Sequence, residues 1–352
     1  MAKAGTPEEK AMEFKEQFLA TRRRFLRNIG VTAGLAAAPL SWSSRVFAEE
    51  KLVIEGPPMP DIPATEITEN VYVIVSPWGF PSEENQGMMS NVTFAITEKG
   101  VVVIDSGASL QIGRMALRQI REITEKPIAA VFNTHYHGDH WLGNHAFVNE
   151  NPDVPIYAHE KTASAIRTNQ GAFWVSLMER STGNAIEGTV VTPPNKVVGH
   201  GDEIDFGDLT IRVHFYGTAH TPSDISLELV EEGIVHVGDI AMNNRIAYMD
   251  DGSFLGTFKA FDALEQNVPD AFWIPAHGFP AYDLLKHNRI FFQGIYESAE
   301  KAVEEMAGPS QAKVYALEDE RVQYYAPFTN GFDQNIGKYA SLAFLEAEAA
   351  AF

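Results

Sequence analysis

An α/β fold with two β-sheets and helices on their outer faces is what this 352-residue sequence predicts. Three observations predict it. Apolar runs of strand length recur in pairs around Gly-containing turns. Stretches of helical period follow those pairs, and the order strand, strand, helix, strand occurs in each half of the chain. Two such sheets would bury one face against each other and the other face under helices. An apolar content of 45% is enough for a real core.

Taken in order, residues 49–66 (EEKLVIEGPPMPDIPATE) hold four prolines and little periodicity and read as a linker. The folded body is expected over 67–290. VYVIV (71–75) is the first strand, and NVTFAITEKGVVVID (91–105) is a hairpin about Glu98-Lys99-Gly100. LQIGRMALRQIREIT spaces Ile112, Met115, Leu117, Ile120 and Ile123 along one helix face, and Pro127 stops it before the strand IAAVFN. Residues 158–195 read as an insertion of helical character containing Phe173, Trp174 and Met178. EIDFGDLTIRVHFY (203–216) and DISLELVEEGIVHVGDI (224–240) are two further strand pairs, turning at Gly207-Asp208 and Glu231-Glu232-Gly233. FLGTFKAFDALEQN (254–267) is a helix and AFWIPAH (271–277) a buried strand ending in histidine. From 283 onward the chain reads as helical, interrupted by YYAPFTNGF. Residues 291–352 form a C-terminal helical extension whose Ala-rich end is expected on the surface.

The formal net charge is −20, and it is unevenly spread. Residues 1–48 carry eight Lys/Arg against four Asp/Glu, which leaves 19 against 43 in the rest. A body this acidic repels polyanions, so nucleic acid is excluded as a partner. The N-terminus reads as an address. Thr21–Arg27 (TRRRFLR) fits the frame of a twin-arginine export signal, a weakly hydrophobic Gly/Ala stretch follows, and Val46-Phe47-Ala48 offers a cleavage site after Ala48. The expected partner of the precursor is the twin-arginine export machinery, and the expected location is the periplasm. The apolar run from Ile29 to Leu40 is far short of the ~20 residues that span a bilayer. With no cysteine the chain has neither disulfides nor thiolate ligands.

The densest chemistry lies in NTHYHGDHWLGNH, Asn133 to His145, which packs four of the eleven histidines and an aspartate behind the apolar run IAAVF. H-x-H brings two imidazoles within reach of one ion on a turning backbone, and Asp-His immediately after it can supply a second ion nearby. A lone H-x-H carries little weight, because histidines at strand ends are often plain loop residues. The complete H-x-H-x-D-H of His135, His137, Asp139 and His140 is specific. His220 in GTAHTPSD, Asp239 in HVGDIAM and His277 in PAHG add three candidates, each at a strand end in a Gly-bearing turn. Imidazole and carboxylate suit Zn, Mn or Fe alike.

With these motifs the chain resembles the metallo-β-lactamase-fold superfamily over most of residues 65–290. The resemblance implies a four-layer αββα sandwich with a two-metal site between the sheets. It assigns His135, His137 and His220 to a first divalent ion, Asp139, His140 and His277 to a second, and Asp239 to a bridging position. Zn is the first expectation, with Mn or Fe also accepted. Asp105 in VVVIDSG matches a superfamily aspartate that would orient a ligand histidine, although a turn-forming Asp before Ser-Gly explains it too. Outside the motif, His214 and His236 alternate with apolar neighbours and read as solvent-facing strand residues. Thr221 and Asp224 buttress His220 or simply shape its turn.

The implied reaction is hydrolysis of a small-molecule substrate. Hydroxide held between the ions attacks an ester, thioester, lactone or amide carbonyl, or a phosphoryl or sulfuryl centre, and Asp139 serves as both ligand and catalytic group. Asp239 at the bridging position is similar to glyoxalase II and its hydrolase relatives. The export signal makes the chain resemble periplasmic members associated with sulfur oxidation or quinoprotein systems. Two alternatives stay open: a mononuclear non-haem iron sulfur dioxygenase of the same superfamily, and a metal-binding accessory protein of a periplasmic oxidation system. Phe173 and Trp174 are either a substrate lid or ordinary packing.

Overall fold

The computed structural model describes residues 54–77 and 79–352. The export-signal reading of 1–48 and the first part of the 49–66 stretch lie outside the described residues.

Strands β1 (Thr65–Glu66), β2 (Val71–Ile74), β3 (Val92–Thr97), β4 (Gly100–Ile104), β5 (Ile128–Phe132), β6 (Ile156–His159) and β7 (Lys196–Val198) form one sheet in sequence order. Its first four strands run antiparallel as hairpins, and β4 to β7 run parallel. The second sheet has the order β12-β11-β10-β9-β8, from β8 (Glu203–Asp205), β9 (Thr210–His214), β10 (Ser226–Leu229), β11 (Ile234–Gly238) and β12 (Phe272–Pro275). Only β11 and β12 are parallel in it. Parallel neighbours need a crossover, and α1 (Leu110–Ile123) supplies it between β4 and β5 as α6 (Phe254–Asn267) does between β11 and β12. The remaining helices are numbered around these: α2 (Gly138–Trp141), α3 (Asn144–Glu150), α4 (Glu160–Ala165), α5 (Gly171–Ser181), α7 (Leu284–Glu304), α8 (Pro309–Glu318), α9 (Glu320–Tyr325) and α10 (Phe332–Ala351).

Three apolar layers follow from the period of two along the strands. Val71, Val73, Val102, Ile104, Ala130 and Phe132 meet Ile211, Val213, Leu227, Leu229 and Ile274 between the sheets. The opposite residues, Phe94, Val101, Val103 and Val131, pack under α1 and α3 with Ile112, Met115, Ile120 and Phe147. On the far side, Val235 and Val237 pack with Phe254, Phe261, Phe292 and Ile295. This is the expected αββα arrangement.

Four local expectations change. The proline-rich stretch is extended but docked: Met59 and Ile62 are buried, the Gly56 amide donates to the Glu187 carbonyl at 2.8 Å, and Arg114 and Arg118 pair with Glu55 and Asp61. The Ala-rich end is half interior, because α10 buries Phe332, Ile336, Tyr339, Ala340, Ala343, Phe344 and Ala347 against α7 and α8. Alanine every third or fourth residue permits that close approach. The 290/291 division falls inside α7, so the extension continues the outer helical layer. The 158–195 stretch is helical as read, but it starts within strand β6 and includes a π-helical turn over Ile166–Gln170.

The docked stretch makes a direct test possible. Met59→Ala should lower the unfolding free energy by about 2–4 kcal/mol, since a buried thioether chain is removed. Asp61→Ala, which removes the exposed pair with Arg118, should cost less than about 1 kcal/mol. Urea denaturation of both variants checks this, and equal effects would contradict the docking.

Candidate metal centre

The site residues all stand where strands leave the sheets at one end of the sandwich. Asp105 follows β4, His135 to His140 follow β5, Asp239 follows β11 and His277 follows β12; His220 lies in the β9–β10 connection. Two backbone devices aim them. Between His236 and Gly238 the register of β11 shifts, and Gly238 takes a left-handed φ of 57°, which turns Asp239 inward. A Cβ at Gly138 would lie 2.7 Å from the Trp174 Cβ, so only glycine lets α5 close over the H-x-H-x-D-H loop.

The seven predicted ligands converge. His135, His137, His220 and Asp239 form one group and Asp139, His140 and His277 another, with the ligand atoms of each group within 4.8 Å of one another. Nδ1 of His137 and Nε2 of His220 are 3.0 Å apart. The Asp239 carboxylate faces both groups: Oδ2 lies 3.3 Å from Nε2 of His220 and 3.3 Å from Nε2 of His277, and Oδ1 lies 3.6 Å from Nε2 of His140. Asp139 Oδ2 is 3.3 Å from Nε2 of both His140 and His277.

Asp105 acts beneath these groups. Its Oδ2 accepts from Nδ1 of His140 at 2.8 Å and from Thr134 Oγ1 at 2.9 Å, while Oδ1 accepts from the Thr134 amide. Because Thr134 gives its hydroxyl proton to Asp105, that oxygen accepts from Nδ1 of His135 at 3.0 Å. Both imidazoles thereby present Nε2 to the site. Asp105 holds this place at a φ of 55°, a left-handed conformation unusual for a non-glycine residue.

Metal ions fit this donor set. Nε2 of His135, Nε2 of His140 and Oδ1 of Asp239 are buried with no hydrogen-bond partner among the described residues. Buried polar atoms left unpaired are costly, and three of them converging within a nitrogen and oxygen cluster suit divalent cations.

The two groups differ electrostatically. Burial pushes the imidazoles of His135 and His137 well below their usual range and that of His220 down to about 4, so these three are neutral. Burial also disfavours charge on His140, but Asp139, Asp239 and Asp105 outweigh it and raise its pKa well above the usual value. Asp239 and Asp139 similarly raise His277 against its burial. Both carboxylates are drawn well below their usual range, because His140 and His277 overcome their desolvation.

Two expectations, the solvent-facing positions of His214 and His236, are corrected here. His214 is buried and binds Glu228 Oε2 through Nε2 at 2.8 Å and the Tyr216 hydroxyl through Nδ1 at 2.9 Å. His236 is buried beside the cluster, and burial takes its pKa down to about 4. Alternation misleads in β11 because both faces of that strand are covered. Thr221 is tied to buried Asp224 through its amide at 2.6 Å and its hydroxyl at 2.8 Å. Phe173 and Trp174 part company. Trp174 is buried with its ring 5.0 Å from that of His137, whereas Phe173 is 52% exposed.

Sequence reasoning missed three residues beside the centre. Arg245 shares a cavity with His220 and Asp239, donates to the Gly79 carbonyl at 2.7 Å, and has no carboxylate partner among the described residues. Tyr248 stands with its ring 6.2 Å from that of His137. Met89 receives Nδ1 of His277 on its carbonyl at 2.6 Å. A lone Arg in DIAMNNRIAYM has no motif signal, and a backbone carbonyl has none at all.

A pH dependence follows. Ions bind neutral imidazole, so protons compete where the pKa is raised. Acidification should therefore expel ions from the Asp139, His140 and His277 group before the His135, His137 and His220 group. Metal retained per chain after dialysis at stepped pH checks the order, and simultaneous loss would contradict it.

Comparison with known proteins agrees with this geometry. Residues 86–316 match the Metallo-beta-lactamase superfamily, which is more than half of the chain. Over 154 residues the chain is 27% identical to a hydroxyacylglutathione hydrolase of Erythrobacter litoralis, covering 44% of this chain and 50% of that protein. Over 66 residues it is 41% identical to a linear primary-alkylsulfatase of Pseudomonas sp., covering 18% and 12%. The chain thus spans less than two thirds of the length of either relative. Among solved structures, a metallo-beta-lactamase from Pontibacter korlensis superposes with a TM-score of 0.53 at 21% identity, over 64% of this chain and 96% of that one. A sec-alkylsulfatase from Pseudomonas sp. gives 0.61 at 15% identity, over 81% and 50%. The fold, the family match and the paired ligand groups agree: the chain belongs to the metallo-β-lactamase superfamily, a hydrolase family, and carries that family's kind of His/Asp metal-binding cluster.

Proposed function

We propose that this protein is an exported dinuclear metallohydrolase that uses water to cleave an ester, thioester, lactone or amide. The observation that carries the reading is the Asp239 carboxylate lying between two imidazole groups, 3.3 Å from His220 on one side and 3.3 Å from His277 on the other. His135, His137 and His220 would hold one divalent ion and Asp139, His140 and His277 the other, with Zn preferred and Mn or Fe compatible with the donors. When bound, such ions supply Lewis acidity and lower the pKa of a coordinated water toward ~7.

The chain's own residues do the rest. Asp139 stays ionised between His140 and His277, and its carboxylate accepts a hydrogen bond from the attacking water and fixes its direction. Trp174 and Tyr248 flank His137 and form apolar walls that orient the substrate and exclude bulk water. Arg245 offers its guanidinium to an anionic group of the substrate. Export rests on Thr21–Arg27 and on Ala48, which direct the acidic body to the periplasm by the twin-arginine machinery.

A second reading, sulfate-ester hydrolysis at the same centre, is favoured by the 41% identity to the alkylsulfatase over 66 residues and by Arg245, which has no carboxylate partner among the described residues. A panel of an aryl ester, a lactone, a thioester, a cephalosporin reporter and phosphate and sulfate esters separates the two. Turnover of an acyl substrate, abolished by chelation and restored by Zn, is expected. Turnover of sulfate esters alone would select the second reading, and turnover of none would contradict both.

Two variants sharpen this. His137→Ala should reduce kcat by roughly two orders of magnitude or more while the circular dichroism spectrum is retained. Arg245→Ala should raise KM for anionic substrates by about 10-fold to 100-fold and leave neutral analogues unchanged. Equal effects on charged and neutral substrates would remove Arg245 from substrate binding.

A further inference from the structure

Met89, Ser90 and Asn91, just before β3, are buried against the centre, and each grips the second ligand group differently. The Met89 carbonyl accepts from Nδ1 of His277 at 2.6 Å and from Ser76 Oγ at 2.7 Å. Ser90 Oγ donates to the Asp139 carbonyl at 2.5 Å. Asn91 spans the strand end that carries His277: Nδ2 donates to the carbonyls of Pro275 at 2.9 Å and Gly278 at 2.8 Å, and the backbone amide donates to the Ala276 carbonyl at 2.6 Å. The Asn91 Oδ1 in turn accepts from the Ser76 amide at 2.9 Å, closing the set.

We propose that Met89-Ser90-Asn91 is a clamp that selectively fixes Asp139 and His277, two of the three ligands of the second ion, with Asn91 as its positioning residue, while His140 is held by Asp105. The proposal rests on the dinuclear reading above. Its selectivity follows from where the bonds go. They end on Asp139, on His277 and on the residues flanking His277, whereas His135 is oriented independently by Thr134 and Asp105. An imidazole whose Nδ1–H is held presents Nε2 in one direction, and a carboxylate whose backbone is held presents its oxygens in one place. Loosening the clamp leaves the first group formed and makes the second pay the ordering entropy on each binding event.

The test is a Zn titration of the full chain, stripped by chelator, against a chromophoric competitor, reading stoichiometry and both affinities. Asn91→Ala should weaken the second ion by roughly 10-fold to 100-fold and leave the first unchanged. Ser90→Ala removes one side-chain bond and should shift the second affinity in the same direction by less; it decides the matter if Asn91→Ala fails to fold. Parallel loss of both affinities, or two unchanged affinities, would overturn the clamp alone. A wild-type chain that takes up a single ion would remove the clamp and the dinuclear reading together.

Discussion

Two carboxylates, Asp139 and Asp239, are buried side by side between the sheets, and an ionised carboxylate out of water costs several kcal/mol unless opposite charge compensates it. Everything around the centre answers that constraint. Without ions the compensation comes from His140 and His277, whose pKa values are raised by the same carboxylates they neutralise. Bound ions would supply that positive charge in place of the imidazole protons. The cluster is therefore coherent in both states, and its unpaired Nε2 and Oδ1 atoms mark the state for which it is arranged.

The sandwich makes such a cluster possible by bringing strand ends from two sheets to one edge. A strand end offers a backbone that has left its ladder, so each ligand comes from a short turn on a rigid support. The supports are themselves tied down: Asp105 to Thr134 and His140, Ser90 to Asp139, and Asn91 to the carbonyls around His277. The price of this rigidity is local strain at Asp105 and a glycine requirement at Gly138 and Gly238. The outer helical layer, including α7 and α10, buries the far face of the second sheet and closes the cavity that Arg245 shares with His220.

Most of the sheet and helix order was legible in the sequence because period-two and helical patterns are local. The hairpin at Glu98-Lys99-Gly100 and the helix at 254–267 needed no tertiary information. The candidate ligands were legible because H-x-H-x-D-H and three Gly-bearing turns are local too, whereas their division into two groups came from the family resemblance. What was hidden depends on contacts distant in the chain. His236 looks half-exposed by alternation, yet helices and the facing sheet cover both sides of β11. The prolines around Met59 suggest a free linker, but Met59 and Ile62 join the buried cluster under α1 and α3, and Arg118 of α1 donates to the Met59 carbonyl. The grip of Met89 on His277 spans 188 residues and uses a backbone carbonyl, which any side chain would have supplied.

The central claim is that one carboxylate, Asp239, organises two ions. Anomalous diffraction from crystals grown with Zn measures this most directly. The account predicts two anomalous peaks roughly 3.5–4 Å apart, one on the His135, His137 and His220 side of Asp239 and one on the Asp139, His140 and His277 side. A single peak held by one group, with Asp239 turned away from it, would contradict the account.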